Sequence, residues 1–294
     1  MSGNKPSIIV ISSHVVRGTV GNRAAAFALE VMGYPVWIVP TIILPWHPGH
    51  GSARRMVPAP EEFQNLIDDL MEAPWLGEVG AILSGYLGSV EQVAQLQRLV
   101  KKVKSITPGA LYALDPVIGD TDPSGQGRLY VSQDQATAMR DQLLPLADLI
   151  TPNPFELAWM SGTEITNNLD QLAQAAQSLS ISLVLATSAP ALMRGHIGNL
   201  LIEDLTGEQK AHIAEHPFAN GPPNGMGDLA AALMLGNYLD SEDPLKALKK
   251  TSATLAEIML LAARSGNDEL PLEAGLASIL HPRMPVTSRN FKIR

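Results

Sequence analysis

Short runs dense in aliphatic residues alternate along the chain with segments whose apolar side chains recur every three or four positions. The runs at 7–13, 36–43, 81–86, 111–117, 149–152 and 183–187 predict strands. The segments 24–32, 61–71, 90–103, 133–144, 155–160 and 169–179 predict helices. In 61–71, for example, Phe63, Leu66, Ile67 and Leu70 fall at helical spacing. Residues 199–203 and 210–214 flank Thr206-Gly207 and predict a hairpin. Helices over 228–239 and 244–264 finish the pattern. Strands alternating with helices imply βαβ units, hence an α/β protein: a three-layer sandwich with a central, mostly parallel sheet flanked by helices. No internal repeat and no Gly/Ser linker divides the chain, so 1–294 is expected to form one domain. Segments 45–60, 118–128 and 215–226 are too long and loop-like for plain connections. All three fall where strands end or a helix begins, the edge at which parallel sheets bind ligands.

Composition narrows the class. Hydrophobic residues are 46% of the 294, charged residues 17% and aromatics 5%. The core is therefore aliphatic, as buried parallel strands require, and disorder is not the default. A net charge of −8 argues against a nucleic-acid partner, which a basic face would recognise. It leaves open a phosphate ligand held by a local backbone nest or Mg²⁺. The absence of cysteine removes disulfides, thiolate zinc sites and thiol nucleophiles. Residues 1–7 are polar, and the following Ile8-Ile9-Val10-Ile11 is too short for a signal sequence. No apolar stretch nears the roughly 20 residues that span a bilayer, so a cytoplasmic protein with no membrane association is expected.

Four polar clusters carry candidate chemistry. Gly225-Met226-Gly227-Asp228 stands directly before the helical run Leu229-Ala230-Ala231-Ala232-Leu233. Its glycines allow a tight turn, and the free amides of the first helical turn make an anion site. Asp228 reads either as a helix cap or as a general base beside that site. Asp115-Pro116-Val117 with Gly119-Asp120 ends a buried strand; the two carboxylates suit Mg²⁺, and turn chemistry accounts for Asp120 equally well. In Thr151-Pro152-Asn153-Pro154-Phe155-Glu156, Asn153 and Glu156 read as helix capping, or as groups ordering water around Mg²⁺ and phosphates. Ser12-Ser13-His14, with Gly18 and Gly21-Asn22-Arg23, offers a hydroxyl and an imidazole at a strand end. It lacks the dinucleotide fingerprint, and neither a P-loop nor a nucleophile elbow is present. His47 and His50 sit in a Pro/Gly loop with no carboxylate nearby in sequence and read as solvent-exposed. Met32, Met160 and Met234 read as core fillers, and Trp75 and Trp159 as packing residues.

In this order and spacing the chain resembles the pyridoxal kinases of the ribokinase superfamily. The matching stretches are Ser13-His14-Val15-Val16-Arg17-Gly18 with Gly21-Asn22, Leu83-Ser84-Gly85-Tyr86, Asp115 to Asp120, Thr151 to Glu156, Thr187-Ser188 and Gly225 to Asp228. They span nearly the whole chain. The resemblance implies ATP-dependent phosphorylation of the 5′-hydroxymethyl group of pyridoxal, possible for pyridoxine and pyridoxamine too, in vitamin B6 salvage. It implies Asp228 as base, the amides of Gly225, Met226 and Gly227 as anion hole, and Ser13, His47 and Tyr86 on the substrate side. Asp115, Asn153, Glu156, Thr187, Ser188, Gly225 and Gly227 match the ATP side, and Asp115, Asp120 and Glu156 the metal cluster. Segment 118–128 matches a loop that covers ATP. Mg²⁺ accompanies the co-substrate, there is room for a monovalent cation, and such kinases are usually homodimers.

The sequence departs from that pattern at two places. Leu44-Pro45-Trp46-His47-Pro48 replaces an F-S-N-H-T-like segment, keeping only the histidine, and Met226 stands where Thr or Val is usual. Two other readings follow: a kinase for a hydroxymethylpyrimidine or another heterocyclic alcohol, and a non-catalytic vitamer-binding protein.

Overall fold

The fold is that of a computed structural model, which describes residues 5–122, 124–205, 207–218, 222–266 and 268–293. Thr206 of the expected hairpin turn, Pro123 and 219–221 within two of the expected loops, and positions 1–4 lie outside the described residues.

One nine-stranded sheet runs through the molecule in the order β11-β10-β9-β8-β7-β4-β3-β1-β2. Strands β1 (Ser7–Val15), β2 (Val36–Leu44), β3 (Val79–Ser84), β4 (Leu111–Leu114), β7 (Leu149–Ile150) and β8 (Leu183–Pro190) are mutually parallel. Strands β9 (His196–Glu203), β10 (Lys210–Pro217) and β11 (Thr287–Phe291) continue the sheet antiparallel. Alternate residues of β1 feed two cores: Ile9 and Ile11 face one side, Ile8 and Val10 the other. The first core is closed by α2 (Pro60–Met71), α3 (Val90–Ile106), α4 (Gln133–Ala138), α5 (Pro154–Ser161) and α6 (Leu169–Ser178). The second is closed by α1 (Asn22–Val31), α7 (Met226–Ser241), α8 (Pro244–Ser265) and α9 (Leu276–Leu280). A sheet buried on both faces gives the expected three layers. Helix α7 is apolar all round from Leu229 to Leu235 and is buried accordingly.

Four expectations change. The helix expected over 133–144 is α only to Ala138; a π turn (Met139–Leu143) and a 3₁₀ turn (Leu144–Leu146) follow, where Pro145 has no amide to continue the ladder. Segment 118–128 is largely a hairpin, β5 (Gly119–Thr121) against β6 (Gly127–Leu129). Segment 45–60 is tied down by a 3₁₀ turn (Pro48–His50) and a two-way backbone pairing of Ile43 with Met56. Finally, α9 and β11 follow the last expected helix. The run Thr-Ser-Arg-Asn-Phe of β11 has no apolar alternation; the open edge of β10 supplies its pairing.

Strand β1 leads out to β2 at the sheet edge, whereas β3, on its other side, leads the opposite way to β4, so the connections diverge between β1 and β3. That divergence opens a crevice at the carboxyl ends of the two strands, where α/β sheets hold ligands.

Candidate active site

At this crevice a cavity of about 10 Å³ is lined by Val10 and Ser12 of β1, Ala25 of α1, Leu83 and Ser84 of β3, Gly85, Asp115, and Asp228 and Ala231 of α7. It has room for about one water. Two carboxylates from distant parts of the sequence thus meet at the switch point.

The chain enters α7 through Gly225, whose φ of 91° is left-handed and which is the cap residue. A Cβ there would collide with the carbonyl oxygen of Thr19. Asp228 is therefore not the cap but the third residue of the helix, and the cap makes no side-chain bond. The first amides of α7 have no partner within the helix and stand beside the Asp228 carboxylate. Burial pushes Asp228 up to about 6, while the amide of Gly21 and its own amide pull it back down. Gly21 has a φ of 57°, and a Cβ on it would run into Ser13. Asn22 next to it is fully buried, and its Nδ2 donates to Ser12 O (2.8 Å) and Val39 O (3.2 Å), pinning the start of α1 to β1 and β2.

Asp115 follows β4 and is 5% exposed, and Thr151 Oγ1 donates to its Oδ1 at 3.1 Å. Burial holds its carboxyl well above the usual range, and the charges of Glu156 and Asp228 push the same way. Glu156 closes a capping box with Asn153: Asn153 N donates to Oε2 (3.0 Å) and Glu156 N to Asn153 Oδ1 (2.9 Å). Its Oε1 accepts from Ile118 N at 3.0 Å, and Asn153 Nδ2 donates to Gly119 O at 2.9 Å. The pair therefore caps α5 and fastens the β5–β6 hairpin to it. Burial raises Glu156 to about 8 despite these amides, with Asp120 adding to the rise. Asp120 itself is exposed on β5, its Oδ1 accepting from Thr121 N at 2.7 Å.

Among the described residues no three His, Cys, Asp or Glu side chains converge as a cation cage, so Asp115, Asp120 and Glu156 are not a ready-made three-carboxylate site. The donor set still fits Mg²⁺, which keeps most of its waters and takes one or two carboxylates beside phosphate oxygens. Glu156 and Asp228 raise Asp115, and Asp120 raises Glu156; a cation would relieve such crowded acids. On the far side of the edge, Thr187 N donates to Pro152 O at 2.9 Å. Ser188 sits on an irregularity in β8 with φ 53°, and Val117, beside Asp115, has φ 42°. Positive φ is costly for Val above all, and such strain collects at functional sites.

On the acceptor side, Ser13 is buried against Gly21 but does not line the cavity; its neighbour Ser12 does, its Oγ accepting from Tyr86 N at 3.1 Å. Adjacent strand residues face opposite ways, which separates the two serines. Tyr86 OH lies 3.0 Å from Arg55 Nη1. His47 Nδ1 accepts from Gly49 N, and burial, with His50 behind it, lowers its basicity. The two loop histidines are not the solvated pair expected. The side chain of His50 is 17% exposed and lies against Asp268 and Glu269, carboxylates distant in sequence. Met32, Met160, Met234 and Trp159 pack in or against the cores, whereas Trp75 is 62% exposed.

Sequence reasoning missed Gly21 as a donor to Asp228, Thr151 as the partner of Asp115, and the carboxylates of 268–269. Gly21 and Thr151 lay inside noted motifs; nothing marked Asp268 or Glu269.

Known proteins give a consistent match. The phosphomethylpyrimidine kinase family profile matches residues 59–273. "Pyridoxal kinase PdxY" of Corynebacterium diphtheriae is 34% identical over 283 residues, 95% of this chain and 97% of that protein. The protein of the same name from Leifsonia xyli is 36% identical over 280 residues, 94% and 96% of the two chains. A solved structure of pyridoxal kinase from Leishmania donovani in complex with ADP and pyridoxamine superposes with a TM-score of 0.88 at 27% identity, covering 98% of this chain and 100% of that one. With a mostly parallel sheet, a G-x-G-D turn at its switch point and relatives matched end to end, this chain belongs to the pyridoxal kinase family of ribokinase-like enzymes.

Proposed function

We propose that the chain transfers the γ-phosphoryl group of ATP to the 5′-hydroxymethyl group of pyridoxal, producing pyridoxal 5′-phosphate for vitamin B6 salvage. The carrying observation is the Asp228 carboxylate, raised to about 6 at the switch-point crevice beside the free amides of α7. A carboxylate of that basicity accepts a hydroxyl proton near neutrality better than an ordinary one. Asp228 removes the proton as the acceptor oxygen attacks the γ-phosphorus. The bond to the ADP oxygen breaks, and the amides of Gly225, Met226 and Gly227 take up charge on the transferring group.

Ser13, His47 and Tyr86 flank the acceptor, with Ser12 added at the cavity. Asp115, Asn153, Glu156, Thr187 and Ser188 border the nucleotide. Mg²⁺, when bound, would neutralise phosphate charge, and Asp115, Glu156 and Asp120 would be the carboxylates to hold it; a monovalent cation would fit the same acidic edge. The β5–β6 hairpin covers ATP and keeps water from the γ-phosphate. The relative solved with ADP and pyridoxamine supports this division into nucleotide and vitamer sides. The chain acts as one domain over 1–294, supported by a nine-stranded sheet that uses strands from both ends of the chain. It works in the cytoplasm as a homodimer, without nucleic acid. Among the described residues no helix is long and apolar enough to cross a membrane.

A hydroxymethylpyrimidine acceptor is the second reading, favoured by the description of the matching profile and by the altered 44–48 segment. Incubation with Mg²⁺-ATP and either alcohol decides between them. Pyridoxal phosphate from wild type, and none above background from Asp228→Asn, is the expected result. Phosphorylation of the pyrimidine alone would transfer the assignment. ATP binding without any product would support a binding protein instead.

A further inference from the structure

Glu269 lies outside every motif noted in the sequence, in a strap between α8 and α9. Its carboxylate nonetheless gathers two ligand-edge loops. Arg17 Nη1, from the loop after β1, lies 3.1 Å from Oε1. His50 Nε2, from the loop after β2, lies 3.1 Å from the same oxygen as a charge contact without hydrogen-bond geometry, and His50 Nδ1 is 3.1 Å from Asp268 Oδ2. A Cβ on Gly18 would sit 3.2 Å from Oε1, so the loop after β1 passes directly over the carboxylate.

The backbone of the strap is tied to the G-x-G-D turn. Asn224 pairs with Glu269 as a parallel bridge, and Asn224 N donates to Asp268 O at 2.9 Å. One residue on, Thr19 Oγ1 donates to Leu270 O at 3.1 Å, and Leu270 Cδ1 packs over the Cα of Gly225. The two acceptor-side loops also bond to each other, through Val16 N to Leu44 O (2.8 Å) and Arg17 N to Pro45 O (2.9 Å). The Glu269 and His50 side chains are 21% and 17% exposed, so their contact is less screened than an open surface pair, whereas Arg17, 69% exposed, is the more screened partner.

We propose that Glu269 is a positioning residue for the acceptor: held to the anion-hole turn through Asn224, it clamps Arg17 and His50 and so sets loops 16–19 and 47–50 relative to Asp228. This rests on the reading that those loops border the acceptor. The side-chain contacts of the clamp are all with the acceptor-side loops, so it acts on placement of the acceptor hydroxyl.

Glu269→Gln keeps the volume and removes the charge. The KM for pyridoxal should rise roughly tenfold, the scale of one lost charge-assisted hydrogen bond. The KM for ATP and the Tm should stay near wild type. A second readout needs no turnover. Arg54 and Arg55 are exposed in the segment that begins at His47, so tryptic cleavage there should accelerate severalfold in Glu269→Gln. Glu72→Gln, at a remote surface pair with Lys102, should not change it. Arg17→Met and His50→Gln should each reproduce part of the effect and combine with Glu269→Gln less than additively; they carry the test if Glu269→Gln does not fold.

Unchanged pyridoxal KM with unchanged cleavage overturns the proposal. So does a uniform loss of Tm, ATP KM and pyridoxal KM, which marks a purely structural residue. A wild type inactive on pyridoxal would count against the acceptor assignment, and the cleavage rates would still decide the clamp.

Discussion

Asp228 shows how one environment serves two ends. Burial raises its carboxyl to about 6, and only the ionised form accepts a proton. The rate with pyridoxal should therefore climb with pH through about 6 and level off above it, and no variant that lacks the carboxylate should show that limb. A pH profile of kcat/KM measures it directly; a flat profile between pH 5 and 8 would remove Asp228 from the role of base. The neighbouring Gly21 amide limits the shift, so position 21 tunes the base through its backbone.

The turn into α7 distinguishes two glycines that look equivalent in the sequence. Gly225 has left-handed φ and no space for a Cβ, whereas a Cβ on Gly227 would meet nothing within 4 Å. Gly225→Ala should cost about 2–4 kcal/mol through strain and collision and lower the Tm by several degrees. Gly227→Ala sits in a helical turn and should hold or raise the Tm, helix propensity favouring Ala by up to about 1 kcal/mol. Its methyl group would crowd the anion hole, so turnover should fall while the fold stays intact. Thermal melts beside initial rates separate the two effects, and equal stability losses in both variants would contradict this account of the turn.

At the scale of the whole molecule, the crevice joins Asp115 and Asp228, with the charge of Glu156 felt at Asp115, and burial raises all three. An acid whose folded pKa lies above its unfolded value stabilises the fold fully below the unfolded value and loses that contribution as pH rises through the folded one. For Asp228 that window closes at about 6 and for Glu156 at about 8. The Tm without divalent cation should therefore fall between pH 5 and 9, and Mg²⁺-ATP should raise it more at pH 8.5 than at pH 5.5. A cation effect independent of pH would place the metal away from these carboxylates. The homodimer reading predicts a sedimenting mass of twice the 31.4 kDa chain.

Much of this was legible in one dimension. Aliphatic runs of strand length and helices of 3.6 periodicity follow from local chain geometry, so the parallel α/β sandwich and most of its elements could be read from the pattern. Gly225 to Asp228 announced itself because a tight turn before a helix requires those residue types locally. What the sequence could not decide is what depends on partners far away. The pairing of β11 comes from the vacant edge of β10 and not from any alternation in Thr287–Phe291. Which serine faces the cavity depended on the pleat of β1. The meeting of Asp115 with Asp228 depended on strand order, and the clamp of Arg17 and His50 by Glu269 joins residues more than 200 positions apart. Local patterns encode elements because their energetics are local. Carboxylate burial, shared cavities and loop clamps arise only when those elements pack, so tertiary structure alone set the charge state of the crevice.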